Sequence, residues 1–168
     1  MAEPLSVWED GVCLATSRDA SRCMTIVATM ALSKAISAPE LKKVLLRDAM
    51  CHVRMRSRVV VGKGGRHCFE ELPDPAAALN SMVHEVSVGN GTHAELQTLQ
   101  EGMLMKEWRP ELPHWEVYIV KVASPSATDD FQGAAIFRLN HALGDGHALL
   151  QILLSLTQDT QGGGSGGG

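Results

Sequence analysis

The stretch from Ala134 to Leu156 constrains this chain more than any other. Ala134-Ala135-Ile136-Phe137-Arg138-Leu139 reads as an apolar strand, and His147-Ala148-Leu149-Leu150-Gln151-Ile152-Leu153-Leu154-Ser155-Leu156 as an apolar helix. Between them lies Asn140-His141-Ala142-Leu143-Gly144-Asp145-Gly146. A strand that passes through a short turn into a helix belongs to a layered α/β arrangement, in which both elements bury an apolar side. Gly144 and Gly146 are expected to let the backbone turn where a larger residue would resist. An imidazole held at a strand end, as His141 would be, can take a proton from an alcohol near neutral pH.

The rest of the chain alternates between strand and helix patterns. Met24 to Leu32 is rich in apolar and β-branched residues and reads as a buried strand, too short to cross a bilayer. Ser37-Ala38-Pro39-Glu40 is a capping box with proline in the first turn, opening a helix to about His52. Leu41, Val44, Leu45 and Ala49 share one face of that helix, while Lys42 and Lys43 point to solvent. Arg54 to Val61 and Cys68 to Leu72 read as strands joined by a turn at Gly62-Lys63-Gly64-Gly65, so Arg54, Arg56 and Arg58 would share one strand face. Pro73-Asp74-Pro75 breaks the pattern. A second capping box, Thr92-His93-Ala94-Glu95, opens a helix to about Met105, and Trp115 to Val122 is the next strand. Ser124 to Asp130 is a polar loop. No internal repeat is present.

With 168 residues the chain suffices for one domain with a sizeable core. The formal net charge of −4 gives no reason to expect a nucleic-acid partner. Cys13, Cys23, Cys51 and Cys68 form no Cys-x-x-Cys pair, and no secretory signal is evident, so free thiols in a reducing compartment are expected. Gly162-Gly163-Gly164-Ser165-Gly166-Gly167-Gly168 reads as a flexible linker of the engineered kind and is set apart from residues 1–161.

The turn at 140–146 resembles the His-His-x-x-x-Asp-Gly motif of the CoA-dependent acyltransferases. That superfamily includes chloramphenicol acetyltransferase, peptide-synthetase condensation domains and the wax ester synthase/diacylglycerol acyltransferases. Three further stretches resemble the last of these. Glu3-Pro4-Leu5-Ser6 is similar to that family's opening, and Arg54-Met55-Arg56-Ser57-Arg58-Val59 to its Arg-Phe-Arg-x-Arg segment. Arg109-Pro110-Glu111-Leu112-Pro113-His114-Trp115-Glu116 is similar to its Arg-Pro-Leu-Trp-Glu segment, with residues inserted. All four occur in the family's order. The resemblance implies an α/β fold: a two-layer sandwich of mixed sheet and helices, forming one chloramphenicol acetyltransferase-like half. Residues 1–161 would be the N-terminal half, with the active-site tunnel lying against a C-terminal half carried elsewhere.

The implied chemistry is acyl transfer from acyl-CoA, as co-substrate, to a long-chain alcohol or diacylglycerol, with no bound cofactor and no metal. His141 would be the catalytic base. Asn140 stands where the family usually has its first histidine. Asp145 would hold the site's shape, paired with Arg138 or with Arg54, Arg56 or Arg58, and Gly146 would permit the turn into the helix. Trp115 and Glu116 are candidates for the substrate channel, although a core role is the plainer reading of Trp115. His141, Asp145 and His147 match no zinc spacing, and no Gly-x-Ser-x-Gly elbow occurs. A cytoplasmic protein is expected, or one peripheral at the endoplasmic reticulum or a lipid droplet through a surface patch. The alternatives are a different acceptor within the superfamily, and a non-catalytic binding or assembly half.

Overall fold

The computed structural model of the chain describes residues 3–6, 8–10, 12–13, 24–124 and 133–157. Its strands are β1 (Glu3–Pro4), β2 (Thr25–Leu32), β3 (Ser57–Val61), β4 (His67–Glu71), β5 (Val83–Val88), β6 (Trp115–Val122) and β7 (Gly133–Asn140). Its α-helices include α1 (Ala38–Val44), α2 (Pro75–Met82), α3 (His93–Leu104) and α4 (Gly146–Ser155). Four strands form a mixed sheet in the order β2-β7-β6-β5, with only β5 and β6 parallel. β1, β4 and β3 form a small antiparallel sheet. This is the mixed α/β architecture expected from the sequence.

β7 is buried at every residue, because it runs between β2 and β6 with apolar cover on both faces. That position explains its apolar run from Gly133 to Phe137: a strand without a wet face has no reason to alternate. On one face Trp115, Val117, Ile119, Phe137 and Leu139 pack with residues of α1, α2 and α4 in the larger core. On the other, Tyr118, Val120, Ala134 and Ile136 pack against Met103, Leu96 and Leu99 of α3.

Both capping boxes form as the sequence predicts. Ser37 accepts from the Glu40 amide and Thr92 from the Glu95 amide, and each glutamate reaches back to its cap residue. α1 passes into a π-helical turn, Leu45–Ala49, closed by the Met50 amide donating to the Leu45 carbonyl at 2.8 Å. The turn before β4 also forms, with Gly64 and Gly65 at φ of +81° and +79°, a region that favours glycine.

Two expectations are corrected. Pro73-Asp74-Pro75 is a helix start rather than only a break: Asp74 accepts from the Ala77 amide and Pro75 opens α2. The arginines at 54, 56 and 58 do not line one strand face, because Val53–Arg56 is a 3-10 turn and β3 begins at Ser57. They separate into three ion pairs: Arg54 with Glu9, Arg56 with Glu71 and Arg58 with Glu70.

Among the described residues Cys13, Cys51 and Cys68 are free thiols, and no helix is long and apolar enough to cross a membrane. Cys23, most of the polar loop after Ser124 and the glycine-rich tail lie outside the described residues.

Candidate active site

At the end of β7 the chain enters a 3-10 turn, His141–Leu143, before α4. Both neighbouring strands fix that turn. The Asn140 amide donates to the carbonyl of His114, just before β6, and the His141 amide donates to that of Met24, just before β2, each at 2.9 Å. The buried Asn140 side chain caps the turn, its Oδ1 accepting from the Ala142 amide at 2.8 Å. An amide side chain at this position therefore has a local structural function.

The His141 ring is partly exposed. Its Nδ1 is buried and has no hydrogen-bond partner among the described residues. Trp8, itself 61% exposed, meets the ring edge-on with centroids 6.4 Å apart. A groove of about 450 Å³ runs beside the turn, bounded by Leu143, Gly144 and Asp145 on one side and by Val53, Arg54 and Met55 on the other.

Asp145 caps α4: its Oδ1 accepts from the Ala148 amide at 2.8 Å. The expected arginine partnership is not observed. Arg54, Arg56 and Arg58 form the pairs given above, and Arg138 faces Glu116. Gly146 is likewise not demanded by the backbone. Its φ is not positive, and a Cβ there would meet nothing within 4 Å. Gly144 is extended at φ 167°, and a Cβ would stand 3.4 Å from that of Ala148, an ordinary contact. Both residues leave open surface above the first turn of α4; neither is needed to make the turn.

Trp115 and Glu116, the two channel candidates, are both buried. Trp115 is 0% exposed, lies in the larger core and donates through Nε1 to the Met55 carbonyl at 2.7 Å. The next residue of a strand faces the other way. Glu116, 4% exposed, accordingly enters a polar cluster on the opposite face. Its Oε2 accepts from Lys106 Nζ at 3.0 Å and from the Tyr118 hydroxyl at 2.7 Å. The Arg138 guanidinium stands 3.7 Å away, and His84 and Arg109 each stand 3.8 Å from Oε1. Burial opposes ionisation of Glu116, but contacts to His84, Tyr118 and Lys106, together with the Lys106 charge, outweigh it and hold the carboxyl at about 2.

Arg138 is 0% exposed. Its Nε donates to the Met103 carbonyl at 2.7 Å, and a terminal nitrogen donates to the Lys106 carbonyl, so it closes off the end of α3. Its guanidinium lies 3.5 Å from the centre of the Trp108 ring, and Trp108 stacks on His114 at 5.6 Å. Burial, then the Arg138 charge, pushes His114 down to about 4, so it is neutral at pH 7.

The structure thus brings Asn140, His141 and Asp145 together in one turn and sends Trp115 and Glu116 to opposite faces of the sheet. Trp8, Trp108 and His114 are additions that the sequence did not announce, since their contacts join segments far apart in the chain. Among the described residues no three His, Cys, Asp or Glu side chains gather where a metal ion could sit.

No protein-family model and no curated protein matches the sequence. Solved structures do match. A variant of the starter condensation domain of rhizomide synthetase superposes with a TM-score of 0.71 at 14% identity, over 93% of this chain and 36% of its own. The first condensation domain of the calcium-dependent antibiotic synthetase gives 0.71 at 12% identity, over 93% and 37%. A variant of the rhizomide starter domain in complex with C8-CoA gives 0.70 at 14%, over 93% and 34%. The chain spans about a third of the length of these structures. The likeness is one of fold, and it does not single out the wax ester synthase family. Over that third, the chain has the chloramphenicol acetyltransferase-like α/β fold of condensation domains.

Proposed function

We propose that this chain is the N-terminal lobe of an acyl-CoA-dependent O-acyltransferase of the wax ester synthase/diacylglycerol acyltransferase kind, with His141 as its base. One observation carries the reading: a partly exposed histidine, its backbone tied to both neighbouring strands, stands at the end of an interior strand of an acyltransferase-type fold. Support for the donor comes from the solved neighbour bound to C8-CoA.

In the reaction His141 Nε2 takes the hydroxyl proton of a long-chain alcohol or diacylglycerol as its oxygen attacks the thioester carbonyl. The tetrahedral intermediate collapses with loss of the C–S bond. The imidazolium returns the proton to the departing thiolate, giving the ester and free CoA. For Nε2 to act as base, the ring proton must sit on Nδ1, for which the described residues offer no acceptor. Asn140 and Asp145 hold the turn that carries the ring. Donors to the oxyanion and the far wall of the tunnel would come from a second lobe, consistent with the greater length of the matched structures. The exposed Leu150 and Leu154, one turn apart on α4, offer apolar surface to such a lobe.

The test is ester formation by the complete two-lobed protein from palmitoyl-CoA and hexadecanol, followed by mass spectrometry. His141→Ala should lower turnover by about 10²-fold or more; unchanged turnover removes the catalytic role and leaves an assembly module. A second reading, an amine acceptor, is favoured by the matches to peptide-synthetase condensation domains. Supplying alcohols and amines side by side separates the two. This chain alone should transfer little or no acyl group.

A further inference from the structure

We infer that Glu116 and Arg138 are positioning residues for His141, a role that rests on the acyl-transfer reading and deepens it. The two face each other across β6 and β7 in register, and both are buried. Arg138 is two residues from Asn140 on the same strand, so whatever fixes its guanidinium fixes the last residues of β7. Four neighbours among the described residues do so. The Met103 and Lys106 carbonyls accept from it, the Trp108 ring covers it, and Glu116 supplies the opposing charge.

The same cluster reaches the turn by a second route. Trp108 stacks on His114, and the His114 carbonyl accepts from the Asn140 amide at 2.9 Å. The strand from below and the 106–114 segment from the side thus converge on the peptide that precedes His141. Glu116 is anchored in turn by Lys106 and the Tyr118 hydroxyl, which leaves its carboxylate little freedom to follow a displaced arginine. A guanidinium is needed here because its planar fork serves two carbonyls while its face lies on an indole; a lysine ammonium cannot do both. The arrangement couples two motif-bearing segments, 109–116 and 138–145, that the sequence presents separately.

The experiment uses this chain in solution. Amide hydrogen exchange at Asn140 and the ring ¹⁵N signals of His141 are measured by NMR in the parent protein, Glu116→Gln, Arg138→Lys and Val86→Ala. Val86 packs on the same face outside the cluster and controls for general loss of stability. Glu116→Gln and Arg138→Lys should each accelerate Asn140 exchange about tenfold beyond the control and shift the His141 ring signals. Glutamine keeps acceptor geometry toward Tyr118 and Lys106, so the Glu116 variant carries the test even if Arg138→Lys does not fold. If Asn140 exchange and the His141 signals in the cluster variants follow the Val86 control, the inference is wrong. The result is independent of catalysis: unchanged turnover in His141→Ala would end the assignment of His141 as base without changing this measurement.

Discussion

Removing the charge of Glu116 should take away a large pH-dependent part of the stability of this fold. The carboxyl is buried, hydrogen-bonded by Lys106 and Tyr118, and held at about 2 against an ordinary 4.5. A group whose folded value is depressed stabilises the fold above its unfolded value, and that contribution disappears as pH falls toward the folded one. Ionised Glu116 therefore contributes about 3 kcal/mol near neutrality, and about 2 kcal/mol of that is lost by about pH 3. The glutamine side chain of the Glu116→Gln variant resembles the protonated acid and leaves Arg138 buried without its counter-charge. The parent should exceed the variant by about 3 kcal/mol at about pH 7, and the two should converge toward about pH 2. Urea unfolding at a series of pH values, followed by tryptophan fluorescence, gives the difference directly. Taking the difference cancels the other depressed carboxyls, such as those of Asp10 and Glu40. Two stability curves that stay parallel from about pH 7 to about pH 3 would refute the reasoning, because an ionised Glu116 could not then be what holds the cluster.

Asp145→Ala should lower stability by about 1 kcal/mol through loss of the α4 cap, and Asp145→Asn by much less, both read from thermal melts. If Asp145→Asn is as damaging as alanine, a charge partner matters more than the cap. Gly146→Ala should leave the melting temperature of this chain equal or slightly raised, since the added methyl meets open space and the chain loses unfolded-state entropy; a clear drop would show that the backbone needs glycine. Cys51, exposed, should be alkylated by iodoacetamide at about pH 8 well before Cys13, whose thiol is pushed up to about 12 by burial, then by the charges of Asp10 and Glu9. Peptide mapping that finds Cys13 modified first contradicts that burial.

Several elements were legible because their signals are local. Capping residues mark α1 and α3 within four positions, and β6 shows as a run of β-branched and aromatic residues from Trp115 to Val122. The strand–turn–helix around His141 was legible for the same reason. α2 carried a usable signal, Asp74 followed by Pro75, which the two prolines masked as a simple break. β5, Val-His-Glu-Val-Ser-Val, alternates as an edge strand should, but its parallel pairing to β6 depends on a partner about thirty residues later and has no local mark. The three arginines failed differently. Spacing of two suggested a shared strand face, whereas the backbone coils at Val53–Arg56 and sends each arginine to its own acid.

The sequence by itself determined which residue could act as a base, that it sits at the junction of an apolar strand and helix, and that the fold is mixed α/β. Those properties reside in residue type and short-range spacing, where side-chain chemistry and backbone preference operate. Only the tertiary structure decided that Asp145 caps a helix instead of meeting an arginine, that Trp115 is core, and that Glu116 lies against Arg138. Those outcomes depend on strand register, which sends Trp115 and Glu116 to opposite faces and sets Glu116 across from Arg138. Register is the joint product of the whole sheet's packing, and no single segment encodes it.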